Sequence, residues 1–274
     1  MRTNTIYRAV NRICLAMSCA IVAAFCFAVE QPVHAAQKNL PIAGEVFTVE
    51  GRTAFLILPE TTAPGNLIPW VWYAPTLPRL PGKEERWMFD RFLTNGIAIA
   101  GIDVGESYGS PKGTATYSAL YAELVENRGM SPKACLLARS RGGLMLYNWA
   151  VENPESVACI AGMYPVCNLS SYPGLARACG AYDMTEAQLA ATLTKHNPID
   201  RLAPLAEAKV PIFHIHGDVD TVVPSDKNSS VVKQRYIALG GEVTLEVATG
   251  QGHNMWSGFF QCQNLVDFVV ANAK

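Results

Sequence analysis

Residues 134–145 read ACLLARSRGGLM. An apolar run of strand length, 134–138, leads into Ser140, and a helix-like segment, 142–152, follows and stops at Asn153-Pro154. A serine on a sharp strand-to-helix turn is exposed and stands at the positive end of the helix. Strand and helix pack closely around such a turn, so the residues two before and two after the serine must be small. Ala138 and Gly142 occupy those places. The usual pattern is G-x-S-x-G, and Ala138 departs from it by one methyl group. A serine that merely caps a helix has the same local sequence, so the choice between capping and nucleophilic roles rests on the remainder of the chain.

Strand-like and helix-like patterns alternate on both sides of this turn. Residues 45–58 alternate in short stretches, as an antiparallel pair does. Residues 68–73 form a β-rich run ending at Ala74-Pro75. Residues 84–95 read as a helix stopped by Gly96, 97–103 as a short buried strand, and 118–128 as a helix stopped by Gly129. Beyond the serine come an apolar strand (157–163), a helix-like piece (185–196) and a strand (210–216). A helix (228–239), an alternating strand (243–247) and a closing helix (265–273) complete the chain. This order predicts an α/β fold: one domain with a mostly parallel central sheet and helices on both faces. Reactive groups in such sheets gather at the carboxyl ends of the strands. The stretch between Met163 and Val210 leaves room for only a small cap.

The chain has 274 residues, 50% hydrophobic and 16% charged, with net charge −1. That suffices for one large domain, and it gives no charge excess to attract nucleic acid or an anionic membrane. Residues 1–35 read as a secretory signal. Arg2, Arg8 and Arg12 make a basic start, 13–29 is an apolar run without a charge, and Val33-His34-Ala35 is a small-residue cleavage site. The alternative, an uncleaved anchor, needs a spanning helix at the short edge of the usual range. A mature domain of residues 36–274, secreted or periplasmic and free of the membrane after cleavage, is expected. It keeps five of the eight cysteines: Cys135, Cys159, Cys167, Cys179 and Cys262. Cys135 and Cys159 lie in strand-like runs and read as small buried hydrophobes. Cys167 and Cys179, in a loop-rich stretch, are the expected disulfide pair in an oxidising compartment. No cysteine or histidine spacing suggests a metal site.

A serine hydroxyl needs a base within hydrogen-bond reach, and the base needs an orienting group. The mature chain offers His196, His214, His216 and His253. His214 lies inside an apolar strand and reads as a satisfied core residue, and His216 precedes Gly217 and shapes a loop. His196 stands at a helix end. His253, in the loop Gly250-Gln-Gly-His-Asn, is free to reach across a sheet. The acid lies in Asp218-Val-Asp220, just past a strand, and spacing alone does not choose between the two aspartates. The order Ser140, Asp, His253 matches one of the three common serine-hydrolase orders. A histidine base works only when neutral, so activity is expected to fall as pH drops through the range ordinary for histidine, roughly pH 6 to 7.

The stretch H-G-x-x-D-x-x-V-P, residues 216–224, resembles the acid loop of α/β-hydrolases, especially the prolyl-oligopeptidase and dienelactone-hydrolase-like branches. The G-x-G-H loop resembles their histidine loop. Together with the serine turn these motifs span residues 134–256. The resemblance implies an α/β-hydrolase domain, and it puts the acid at Asp220. It also implies an oxyanion hole made by the backbone N–H of Arg141 and one from the loop after the third strand. Relatives often carry His-Gly in that loop, and this chain has Tyr73-Ala-Pro-Thr-Leu. Pro75 has no N–H, which leaves Thr76, then Leu77. The order Ser-Arg-x-Gly also resembles the elbow of glucuronoyl esterases, over four residues.

Arg139 and Arg141 flank the serine. They are either solvated or ion-paired, or one of them points into the cleft and binds an anionic substrate group or assists the oxyanion directly. Among the aromatic residues near strand ends, Trp70, Trp72 and Tyr73 read as core as readily as cleft, whereas Trp256, Tyr108 and Tyr164 are taken as candidate substrate contacts. The expected activity is an exported carboxylesterase working through an acyl-enzyme on a small-molecule or carbohydrate-linked ester, with no metal or organic cofactor. A serine peptidase and a non-catalytic binding protein on the same scaffold are the alternatives.

Overall fold

The computed structural model describes residues 38–61 and 65–273. The signal read from residues 1–35 lies outside the described residues. Among the described residues no helix is long and apolar enough to cross a membrane.

Among the described residues eight strands form one sheet: β1 (Glu45–Val49), β2 (Arg52–Ile57), β3 (Trp70–Ala74), β4 (Ala98–Ile102), β5 (Ala134–Arg139), β6 (Val157–Met163), β7 (Ile212–Gly217) and β8 (Val243–Ala248). Their order across the sheet is β1-β2-β4-β3-β5-β6-β7-β8. β1 and β2 are an antiparallel hairpin, turned at Glu50 and Gly51 with φ of 49° and 74°, the two positive values that a tight twisted hairpin demands. β2 also runs antiparallel to β4, and every other pairing is parallel. The helices are α1 (Arg86–Thr94), α2 (Pro111–Ala122), α3 (Gly142–Ala150), α4 (Leu175–Ala178), α5 (Glu186–Ala191), α6 (Ala203–Glu207), α7 (Ser229–Ala238), α8 (Ser257–Phe260) and α9 (Gln263–Asn272).

The two-residue period of β3 divides the core. Trp70, Trp72 and Ala74 face a layer that takes in Leu120 of α2, Met145 of α3 and Tyr236 of α7. Val71 and Tyr73 face the other way, onto Met88, Phe89 and Phe92 of α1 and Leu265, Val266 and Val269 of α9. Helices therefore cover both faces, and β3 is buried end to end, as a central parallel strand should be. Trp72 sits among Trp70, Tyr117 and Trp149 at centroid separations of 5.2, 5.1 and 4.7 Å. Each such fully buried side chain contributes roughly 1.5–3 kcal/mol, so Trp70, Trp72 and Tyr73 belong to the core and not to a cleft. A third, smaller cluster, including Val166, Leu169, Tyr182 and Leu189, holds the short cap of α4 and α5 against Leu144 of α3.

Two expectations need correction. The helix expected over 118–128 begins seven residues earlier, at Pro111. Ser110 is extended and Pro111 takes the first helical position, a start signal masked by the neighbouring glycines. The expected Cys167–Cys179 disulfide is absent, and all five described cysteines are free thiols. Cys167 is buried with its sulfur toward the Pro165 carbonyl, and the Cys179 sulfur turns to the Ala176 carbonyl of the preceding α4.

Candidate active site

β5 delivers Ser140 at the carboxyl edge of the sheet. Its φ is 50°, a left-handed backbone that costs a non-glycine residue of order 1–3 kcal/mol and persists only where the surroundings over-determine it. They do so here. Ser140 N–H donates to the Met163 carbonyl, and the Ser140 carbonyl accepts from Gly143 N–H and Val166 N–H. The two glycines that follow are required by close approach. A Cβ on Gly142 would lie 2.1 Å from the Ala74 carbonyl oxygen, and one on Gly143 would lie 2.3 Å from that of Val166.

His253 comes from the loop after β8. Its Nε2 is 2.9 Å from Ser140 Oγ and its Nδ1 is 2.8 Å from Asp220 Oδ2. A carboxylate accepts, so Nδ1 carries the proton and Nε2 is left to accept from the serine hydroxyl. Tyr164, itself at φ 38°, packs tilted against the His253 ring with centroids 4.5 Å apart and edge-on against Phe259. Its phenol is pushed up to about 12, chiefly by burial, so it stays neutral beside the imidazole.

Two aspartates stand at the end of β7, and the structure separates them. Asp220 is buried, with Oδ1 accepting from Val222 N–H and Val223 N–H and Oδ2 facing His253. Burial alone would raise its pKa, but the nearby His216 and the hydrogen bonds from His253 and Val223 N–H outweigh it and hold the carboxyl well below the ordinary carboxylate range. Asp218 is exposed and accepts from Gly250 N–H at 2.7 Å, tying the acid loop to the histidine loop. The two loops touch so closely that a Cβ on Gly217 would fall 2.0 Å from the Gln251 carbonyl.

Around Ser140 is a cavity of about 240 Å³ whose walls include Pro75, Leu80, Arg139, Tyr164, Asn254 and Met255. Arg141 also lines it, and its N–H heads α3, where the first amides have no acceptor within the helix. Thr76 is not on the wall. It is buried and its hydroxyl donates to the Tyr73 carbonyl. From this loop the wall takes Pro75 instead.

The other expected contacts divide. Tyr164 lines the cavity, mainly as the support of His253. Tyr108 does not; it packs against the cap cluster and accepts the Tyr182 hydroxyl on its carbonyl. Trp256 is exposed and leans on Phe259, while its neighbours Asn254 and Met255 reach the cavity. Arg139 reaches the wall, but its charge is already matched: Nη1 lies 2.5 Å from the buried Glu85 carboxylate, which also accepts from Tyr73 Oη and Gly82 N–H. Its Nη2 donates to Met255 Sδ at 3.1 Å. Arg141 pairs with Glu106 at 2.8 Å, and both partners are partly exposed. Nothing local in the sequence marks Glu85, Leu80 or Met255.

With this geometry in place, similarity to known proteins adds a partial family match and a fold. A model described as phospholipase/carboxylesterase matches residues 189–269, a stretch that holds Asp220 and His253 and begins after Ser140. No curated protein matches the chain. Among solved structures, a Mycobacterium tuberculosis puromycin-hydrolyzing peptidase superposes with a TM-score of 0.63 at 15% identity, over 84% of this chain and 40% of that one. A Pyrococcus horikoshii acylaminoacyl peptidase gives 0.66 at 15%, over 85% and 42%. The Mycobacterium tuberculosis protein MPT51 gives 0.66 at 13%, over 85% of this chain and 100% of that one. The chain thus spans about two fifths of the two peptidases and the whole of the third structure.

Proposed function

We propose that this chain, a member of the α/β-hydrolase superfamily, is an exported serine hydrolase that cleaves carboxylic esters. The observation that carries the reading is the continuous pair of hydrogen bonds, Ser140 Oγ to His253 Nε2 at 2.9 Å and His253 Nδ1 to Asp220 Oδ2 at 2.8 Å. In this mechanism Ser140 Oγ attacks the ester carbonyl carbon while His253 Nε2 takes its proton. Asp220 holds the imidazole in the required tautomer and stabilises the imidazolium. The carbonyl oxygen becomes an oxyanion facing the Arg141 N–H and the positive end of α3. Collapse expels the alcohol, protonated by His253, and leaves an acyl-Ser140. Water then attacks the acyl carbon as His253 takes its proton, and collapse breaks the bond to Ser140 Oγ, which regains that proton from His253 as the acid is released.

The partial match to a phospholipase/carboxylesterase model supports ester chemistry. The small cap and the short cavity suit an acyl or alcohol group presented from an external molecule, a carbohydrate-linked ester among them. A peptidase reading is favoured by the names of two structural neighbours, both of them much longer than this chain. The deciding assay pairs p-nitrophenyl acetate with an amide substrate, on the wild type and on Ser140→Ala. The ester should turn over in the wild type and fall by several orders of magnitude in the variant, on the order of 10⁶ in a well-studied protease. Amide cleavage at a comparable rate would move the reading to a peptidase, and inertness on both would leave a binding protein on a hydrolase scaffold.

A further inference from the structure

Beneath the acid loop runs a line of buried polar side chains that the triad mechanism does not use. Tyr147 Oη lies 2.8 Å from His214 Nε2, and His214 Nδ1 lies 3.0 Å from Ser229 Oγ. Ser229 Oγ in turn lies 2.8 Å from His216 Nδ1, and His216 Nε2 lies 2.8 Å from the Val223 carbonyl. Tyr147, His214, His216 and Ser229 are all essentially inaccessible to solvent.

The direction of every proton in this line follows from its two ends. The Val223 carbonyl can only accept, so His216 carries its proton on Nε2. At the other end, Tyr147 Oη meets no other hydrogen-bond partner among the described residues, and a buried hydroxyl that fails to donate is costly. It donates to His214 Nε2, which puts the His214 proton on Nδ1 and aims it at Ser229 Oγ. The serine hydroxyl then has one acceptor left to it, His216 Nδ1. Both ends dictate one orientation, with His214 and His216, two positions apart on β7, in opposite tautomers.

We propose that His216 is a positioning residue for Asp220, fixed by this one-way relay; the role rests on the reading of Asp220 as the catalytic acid. The last donation, from His216 Nε2, pins the Val223 carbonyl. The N–H groups of Val222 and Val223 are the donors that clamp Asp220 Oδ1. With that oxygen clamped, Oδ2 is left to His253, and His216 Nε2 itself stands 3.5 Å from Oδ2. The relay therefore sets the turn that presents the carboxylate, without touching any reacting atom.

Two measurements test it. The first is ¹⁵N NMR of histidine-labelled full chain, which distinguishes the tautomers without any turnover. His216 should be protonated on Nε2 and His214 on Nδ1. Matching tautomers, or a doubly protonated His216 at neutral pH, overturn the relay. The second compares His216→Gln with His216→Asn on an ester substrate. The glutamine amide nitrogen reaches the place of Nε2 and the asparagine amide does not. His216→Gln should keep kcat within a few-fold, while His216→Asn loses about tenfold in kcat, the scale of one hydrogen bond, at unchanged KM. Equal kcat in the two variants, or a loss confined to KM, overturns the positioning role. A wild type inert on esters counts against the hydrolase reading alone, because the tautomers are read independently of activity.

Discussion

Arg139 shows how one side chain can stand at the candidate site and still be occupied elsewhere. Its guanidinium is held by a carboxylate with no solvent contact, and its second nitrogen donates to the Met255 sulfur. The link therefore joins the start of α1, the serine turn and the histidine loop. Replacing Arg139 by Leu removes the partner of a buried charge, which typically destabilises by about 3–5 kcal/mol. Urea unfolding of Arg139→Leu should show a loss of that size. An unchanged midpoint together with a raised KM for anionic esters alone would point instead to an arginine that binds substrate. Arg141, paired with a half-exposed glutamate, is held far more weakly, since exposed pairs contribute about 0–1 kcal/mol.

The elements explain which parts of this site are legible in the sequence alone. The turn at Ser140 is written locally: an apolar strand, a serine, and two glycines that the close approach of Ala74 and Val166 demands. Motif order also brings His253 and Asp220 forward, and the fold sets both in hydrogen-bond contact with their expected neighbours. The choice of Asp220 over Asp218 comes from resemblance, because both follow the same strand. The reason for it, one carboxylate turned inward and the other outward, belongs to the turn at Val222 and Val223. Glu85 is illegible for a different reason. It sits in a charged run that reads as a solvated helix start, and its partner is 54 positions away. Loops lack a period, so the sequence does not say that Met255 and not Trp256 faces the cavity. The two cysteines in the loop-rich stretch look pairable for the same reason, although the cap turns their sulfurs to separate carbonyls.

At the scale of the whole molecule, the buried His214 ties stability to pH. Burial first, and then the neighbouring His216, lowers the His214 pKa from 6.5 to about 3. Between those values the unfolded chain binds a proton that the native chain refuses. Stability therefore falls as pH drops below about 6.5, at roughly 1.4 kcal/mol per pH unit from this one group, until pH approaches its folded value. Asp220 acts in a lower window: its depressed pKa stabilises the fold above the unfolded carboxyl value, and that contribution is lost only as pH falls further. Urea unfolding between about pH 4.5 and 6.5 should show the pH slope of the wild type reduced by close to one proton in His214→Gln. Parallel slopes in the two proteins would contradict the assignment.

The central claim is that Ser140 Oγ is a nucleophile activated by His253, and covalent trapping tests it most directly. The full chain is treated with a fluorophosphonate and the modified residue is mapped by mass spectrometry. The account predicts one label per chain, on Ser140, with labelling abolished in Ser140→Ala and strongly slowed in His253→Ala. Labelling at any other residue, or equal labelling of wild type and Ser140→Ala, would contradict it.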